Sequence, residues 1–194
     1  SLILYFLSRL MCRLHRKIME IEDILLQIKE ILTKNGLKIA CAESCTGGLI
    51  SSYLTDIAGS SEYIEQNFVT YSNAAKMRFL NVKKETLDSY GAVSSQTAYE
   101  MALGLLEYEP VSIATTGILG PSGGSADKPV GLCYMGFGIK TGSKVIVKTV
   151  KFNSALADED TQNKRVKIKK DIAKNALLNL IGFLRENIAT CKET

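Results

Sequence analysis

The stretch Leu37-Lys38-Ile39-Ala40-Cys41-Ala42-Glu43-Ser44-Cys45-Thr46-Gly47-Gly48 decides the architecture. Residues 37–42 are a short, mostly apolar run that starts just after Asn35-Gly36, and they predict a buried strand. Residues 46–57 then suit a helix, with Gly47 and Gly48 in its first turn and Gly59-Ser60-Ser61 breaking it. A strand that passes into a helix through a glycine pair is the joint of an α/β fold. Such folds favour ligand sites at the carboxyl ends of their strands. The helix start adds unpaired N–H groups and the positive end of a dipole.

The pattern extends on both sides of this joint. Upstream, Ile21, Ile24, Leu25, Ile28, Ile31 and Leu32 recur at helical spacing from Met19, and Asn35-Gly36 stops that helix. Downstream, residues 67–71 are β-branched and aromatic and predict a strand. Ser72 caps a helix to residue 80, residues 83–89 form a short helix ending at Gly91, and Ser94 opens a helix to residue 107. Residues 111–115 are the next strand, and 116–128 are a glycine-rich loop. Residues 130–139 and 144–152 predict a hairpin turning at Thr141-Gly142. After the polar stretch 153–160, residues 162–187 predict a long helix with Ile172, Ala176, Leu180 and Leu184 on one stripe. Alternating strands and helices followed by a hairpin predict a mixed sheet with helices on both faces. There is no internal repeat and no interdomain linker.

The 194 residues suffice for one domain with a substantial core, and the hydrophobic share of 46% is ordinary for a globular chain. Residues 1–18 read as a leader outside that domain, which spans 19–194. The apolar run of the leader is too short for a membrane span, and its basic residues follow that run, the reverse of a signal peptide. Met19 is expected to be the natural start. Arg9, Arg13, Arg16 and Lys17 lie in the leader, so the rest of the chain carries 20 basic and 20 acidic residues. A neutral body argues against a nucleic-acid-binding face. The cysteines at 12, 41, 45, 133 and 191 are odd in number and lack CxxC spacing, as expected of free thiols in a reducing cytoplasm. The one histidine, His15, is in the leader. The body therefore holds no Ser-His-Asp or Cys-His site and no zinc site built on histidine.

Three clusters carry the chemistry. The first is residues 42–48, a place that holds a nucleophile such as Ser44 beside oxyanion donors or cradles a phosphate, while on spacing alone Ser44 or Thr46 is an ordinary N-cap. The second is Val69-Thr70-Tyr71-Ser72-Asn73 with Lys76 one turn further on. A lysine base must be neutral, and burial or a nearby cation lowers its pKa. Residue types alone favour a surface lysine here. The third is Thr115 to Gly124, where glycines suit close approach to a phosphate or ribose, or a flexible surface loop. Lys164, Arg165, Lys167, Lys169 and Lys170 read as a solvated helix face from which Arg165 reaches a phosphate.

Taken in order, AESCTGG (42–48), Gly59-Ser60-Ser61, VTYSNxxK (69–76), GAVS (91–94), TGILGPSGG (116–124) and KPVG (128–131) resemble the CinA C-terminal domain family over about 21–184. The resemblance implies a three-layer α/β/α sandwich around a mixed β-sheet. It implies an amidohydrolase that converts nicotinamide mononucleotide and water to nicotinate mononucleotide and ammonia, in pyridine nucleotide salvage, without metal or other cofactor. Family members occur alone or behind a larger domain resembling molybdopterin-binding proteins, and this chain reads as the stand-alone form. Carried over by motif, Ser44 is the nucleophile and Tyr71 and Lys76 are its activating partners. Cys45, Thr46, Gly47, Gly48, Asn73, Thr116, Gly117, Gly120, Gly123, Gly124 and Arg165 are the expected substrate-binding residues. Backbone N–H groups near 46–48 are the expected oxyanion donors. The family's last helix often opens with a Gly-Asp-Arg-like segment, whereas Lys164 precedes Arg165 here, and Asp127 stands where a glutamate is common.

The chain is expected to act on a small molecule in the cytoplasm as a homo-oligomer, with no nucleic-acid or membrane partner. A variant of the scheme makes Cys45 the nucleophile. Readings from other classes are a silent pyridine-nucleotide-binding module and an accessory protein in competence or damage responses.

Overall fold

The central strand β1 (Ile39–Glu43) is buried along its whole length. That requires cover on both faces, and two sets of helices supply it. The computed structural model describes residues 19–158 and 162–191, so the expected leader lies outside the described residues. Five strands form one sheet in the order β2-β1-β3-β4-β5. Here β2 is Ile64–Val69, β3 Val111–Gly117, β4 Leu132–Thr141 and β5 Lys144–Asn153. β1 pairs in parallel with β2 and β3, while β3–β4 and β4–β5 are antiparallel. The sheet is mixed, as expected.

Side chains alternate across it with period two. Ile39, Cys41, Val111, Ile113, Cys133, Met135 and Phe137 face one core, which is closed by α1 (Ile21–Lys34), α2 (Leu49–Thr55) and α6 (Lys164–Cys191). Ile24, Leu25, Ile28 and Leu32 of α1 and Ile172, Ala176, Leu180 and Leu184 of α6 are buried there, the stripes expected from spacing. Ala40, Ala42 and Ala114 face the other way, towards α3 (Asn73–Leu80), α4 (Lys84–Tyr90) and α5 (Ser95–Leu105). The result is three layers, α/β/α. No described helix is long and apolar enough to cross a membrane.

On its sheet side the second core presents Ala40, Ala42 and Ala114, which lets the larger Leu80, Met101 and Leu105 of the helices settle close to the sheet. A Cβ on Gly104 of α5 would lie 2.0 Å from the Leu80 carbonyl oxygen. Alanine is favoured over glycine by about 1 kcal/mol in a helix interior. The clash is with backbone and cannot be relieved by a rotamer change, so overpacking of roughly 1–3 kcal/mol outweighs that gain. Gly104→Ala is therefore expected to lower the denaturant midpoint, measurably by urea titration with an unchanged slope.

Several boundaries differ from the sequence reading. The helix expected over 46–57 begins at Leu49, because Gly47 (φ 61°) and Gly48 (φ 96°) adopt left-handed conformations and form the turn before it. β2 starts at Ile64 and ends at Val69, so Thr70 and Tyr71 lie beyond the strand. α6 runs to Cys191, past the expected end at 187. The caps fall where expected. Ser72 Oγ accepts the Ala75 N–H (3.1 Å) and Ser94 Oγ accepts the Thr97 N–H (3.1 Å).

Candidate active site

After β1 the chain crosses to one side to form β2 and later returns to the other side as β3. The crevice beyond the carboxyl ends of β1 and β3 is thus a topological switch point. A cavity of about 290 Å³ opens there. This is near the lower end of small-molecule sites (roughly 300–1,000 Å³) and suits one small ligand. A second cavity of about 400 Å³ lies between α1 and α6, and its lining has Glu30, Lys34 and Arg185 but no hydroxyl or thiol nucleophile.

Ser44 is fixed by its position at the strand end. Its N–H donates to the Thr115 carbonyl of β3 (3.0 Å), continuing the ladder one residue past β1. The turn that follows is anchored by a residue the sequence reading passed over. Glu43 is fully buried, and its carboxylate accepts from the N–H groups of Gly48 (3.1 Å), Ile50 (3.0 Å) and Ser51 (2.8 Å) and from the Ser51 hydroxyl (2.6 Å). An anion at this helix start satisfies donors that would otherwise be orphaned. It also pins the backbone on both sides of Ser44. Thr46 Oγ1 and Thr115 Oγ1 share a hydrogen bond of 2.8 Å below the turn.

Lys76 comes from the first turn of α3. A helical side chain leans towards the helix N-terminus, and here that carries the amine back to the end of β1. Its Nζ lies 3.1 Å from Ser44 Oγ, 2.9 Å from the Thr70 carbonyl and 3.2 Å from the Tyr71 carbonyl. The side chain is 1% exposed. Burial pushes its pKa below the ordinary lysine value of 10.5, and a thiolate at neighbouring Cys45 would act in the opposite direction. Nζ donates to all three oxygens, and an amine that has lost a proton keeps N–H bonds for the two carbonyls and gains a lone pair towards Ser44 Oγ. β2 has to end at Val69 for this, since Thr70 and Tyr71 turn their carbonyls to the lysine instead of to a ladder. The Thr70 hydroxyl beside them is buried without a hydrogen-bond partner.

The cavity brings together Ser44, Cys45, Tyr71, Lys76, Thr116, Gly117, Gly120, Gly123 and Arg165 from the expected set. A family model for the CinA C-terminal domain matches residues 21–184.

The chain belongs to the CinA C-terminal domain family.

It is 48% identical over 130 residues to the nicotinamide-nucleotide amidohydrolase PncC of Enterobacter agglomerans, covering 66% of this chain and 79% of that protein. It is 54% identical over 129 residues to a CinA-like protein of Chloroherpeton thalassium, covering 64% of this chain but only 31% of the relative. The chain thus spans about a third of the length of the longer relatives of that kind. Among solved structures, the competence/damage inducible protein CihA from Agrobacterium tumefaciens superposes with a TM-score of 0.74 at 41% identity, covering 85% of this chain and 95% of that one.

Within this CinA domain, some expected residues lie elsewhere. Thr46, Gly47, Gly48, Asn73 and Gly124 are not part of the cavity lining. Asn73 is exposed at the start of α3, and Gly124 packs on Val130, where a Cβ would come within 2.9 Å of the backbone nitrogen. The expected oxyanion donors need correction. Gly47 donates its N–H to the Ser44 carbonyl (3.2 Å), and Gly48 gives its N–H to Glu43. This leaves Cys45 and Thr46 as the turn's remaining backbone donors. Tyr71 is 62% exposed, and its hydroxyl accepts from Arg165 Nη2 (3.3 Å) instead of meeting Ser44. The other arm of Arg165 donates to the Gly120 carbonyl, so this guanidinium ties Tyr71 to the glycine loop at the cavity mouth. Ala92, Val93, Ile118, Leu119 and Ser122 complete the lining, all from the quoted motifs but none among the expected substrate-binding residues. Ala92 and Val93 belong to the GAVS motif, and the Ala92 carbonyl accepts from Thr116 Oγ1 (2.7 Å).

Proposed function

We propose that this chain is an amidohydrolase that deamidates nicotinamide mononucleotide to nicotinate mononucleotide and ammonia. The observation that carries the reading is a serine hydroxyl 3.1 Å from a buried lysine amine at a strand end. The name of the PncC relative, at 48% identity, supports the substrate.

Neutral Lys76 takes the Ser44 proton as the hydroxyl oxygen attacks the carboxamide carbon. The N–H groups of Cys45 and Thr46 receive the oxyanion, a contribution of about 3–4 kcal/mol per donor in well-formed sites. Lys76 then gives its proton to the departing ammonia. The returned amine activates water, which releases the acid and restores Ser44. Apart from Lys76, the lining's cation is Arg165, and the lining holds no carboxylate. An anionic substrate is therefore favoured, with its phosphate at the mouth on Arg165 and the 120–123 loop.

The test is to incubate the protein with nicotinamide mononucleotide and quantify ammonia and nicotinate mononucleotide, which should appear in equal amounts. Binding without either product would favour the silent binding module. Arg165→Ala is expected to raise KM about 10–100-fold, the worth of one charged hydrogen-bonding contact, with kcat little changed. Steady-state kinetics read this directly. Turnover of free nicotinamide, which has no phosphate, should not respond to the same substitution.

A further inference from the structure

The scheme above leaves one reactive side chain in the cavity unused. Cys45 lines the cavity next to Ser44. Its Sγ lies 3.9 Å from the Sγ of Cys133 on β4, and both thiols are free and buried. The pair joins residues 88 apart in sequence, so only the fold brings them together. Gly117 stands opposite Cys133 in the β3–β4 register, and a Cβ there would come within 3.0 Å of the Cys133 Cβ, so the glycine keeps that space clear.

We propose that Cys45 and Cys133 form a peroxide-reactive site that closes reversibly to a disulfide and switches off the Ser44 turn. The oxidant is a small hydroperoxide. Cys45 Sγ attacks one peroxide oxygen, breaking the O–O bond, to give a sulfenic acid and, from hydrogen peroxide, one water. Cys133 Sγ then displaces the sulfenic hydroxyl as a second water, and the S–S bond forms. Two thiols are oxidised by two electrons and the peroxide is reduced to water. The division of labour follows from exposure. Cys45 lines the cavity, where a small peroxide can reach its Sγ. Cys133 is fully buried and outside the cavity lining, so it meets Cys45 and not the incoming peroxide. Closing 3.9 Å to a bond of about 2.05 Å pulls the turn towards β4. Ser44 moves with it, and a displacement of about 1 Å costs on the order of 10²-fold in rate.

The activity readout rests on the amidohydrolase reading, whereas the cross-link readout does not. The full chain is treated with excess hydrogen peroxide, alkylated without reduction, digested and mapped by mass spectrometry. The expected result is a linked peptide pair joining Cys45 to Cys133, with ammonia release down about 10²-fold and restored by dithiothreitol. Cys133→Ala should keep its basal activity, give no linked pair, and let Cys45 over-oxidise to a form dithiothreitol cannot recover. Free thiols at both positions after treatment, or a linked pair joining any other cysteines, would overturn the proposal. So would full recovery of Cys133→Ala. The wild-type map decides the matter even if the variant does not fold.

Discussion

Ser44→Ala is expected to lower ammonia release from nicotinamide mononucleotide by about 10⁴-fold or more, the scale seen when a catalytic serine is removed from a hydrolase. The substitution deletes one oxygen whose hydrogen-bond partner is Lys76 Nζ. The Ser44 N–H still donates to Thr115, and Glu43 still holds the turn. The fold should therefore persist, with a stability change of about 1 kcal/mol or less. Affinity for the mononucleotide should also persist, because Arg165 and the glycine loop are untouched. Calorimetric binding with turnover lost is the combined signature. If Cys45 were the nucleophile, Ser44→Ala would keep most of its rate and alkylation of Cys45 would abolish it.

Lys76→Met carries the second-largest effect, a fall in kcat of about 10²–10⁴-fold, the range of a positioned general base. Methionine keeps an unbranched side chain but cannot accept a proton. The Thr70 and Tyr71 carbonyls lose their donor, while the buried amine and its desolvation disappear as well. The stability change is thus expected to be smaller than the catalytic one. The pH profile separates the two roles. Only neutral lysine is a base, so kcat/KM of the wild type should rise with pH through the pKa of Lys76. Because burial lowers that pKa, the rising limb should fall below the ordinary lysine value of 10.5. The variant's residual rate should lack that limb. A limb unchanged in Lys76→Met would assign it to another group.

The local signals in the sequence were strong where a single rule governs. The caps at Ser72 and Ser94, the stripe of α1 and the hairpin at residues 132–153 depend on neighbouring residues alone, and they were legible. β2 was harder. It is an edge strand, half-buried along most of its length, so Glu65 and Gln66 are tolerated where an apolar pattern was sought. The start of α2 was misplaced because glycine identity does not reveal whether it sits inside a helix or in a left-handed turn before it. Ser44 and Lys76 were legible as a pair through the resemblance, since spacing alone allowed Ser44 to be a cap and residue types alone favoured a surface lysine. Glu43 was not, since a carboxylate after an apolar strand reads as the solvent end of that strand. Its burial depends on four donors that the folded turn gathers around it. Arg165 is 94 residues from Tyr71, and no local rule links them. For the same reason the competing claims on the N–H groups of Gly47 and Gly48 emerged only with the fold.

The central claim, that Ser44 passes the acyl group through a covalent ester, is tested most directly by adding hydroxylamine to the wild-type reaction. The account predicts that the hydroxamate of the mononucleotide forms at the expense of nicotinate mononucleotide, in a ratio that rises with hydroxylamine, while ammonia release continues. Nicotinate mononucleotide as the one product at every hydroxylamine concentration, with undiminished turnover, would contradict it.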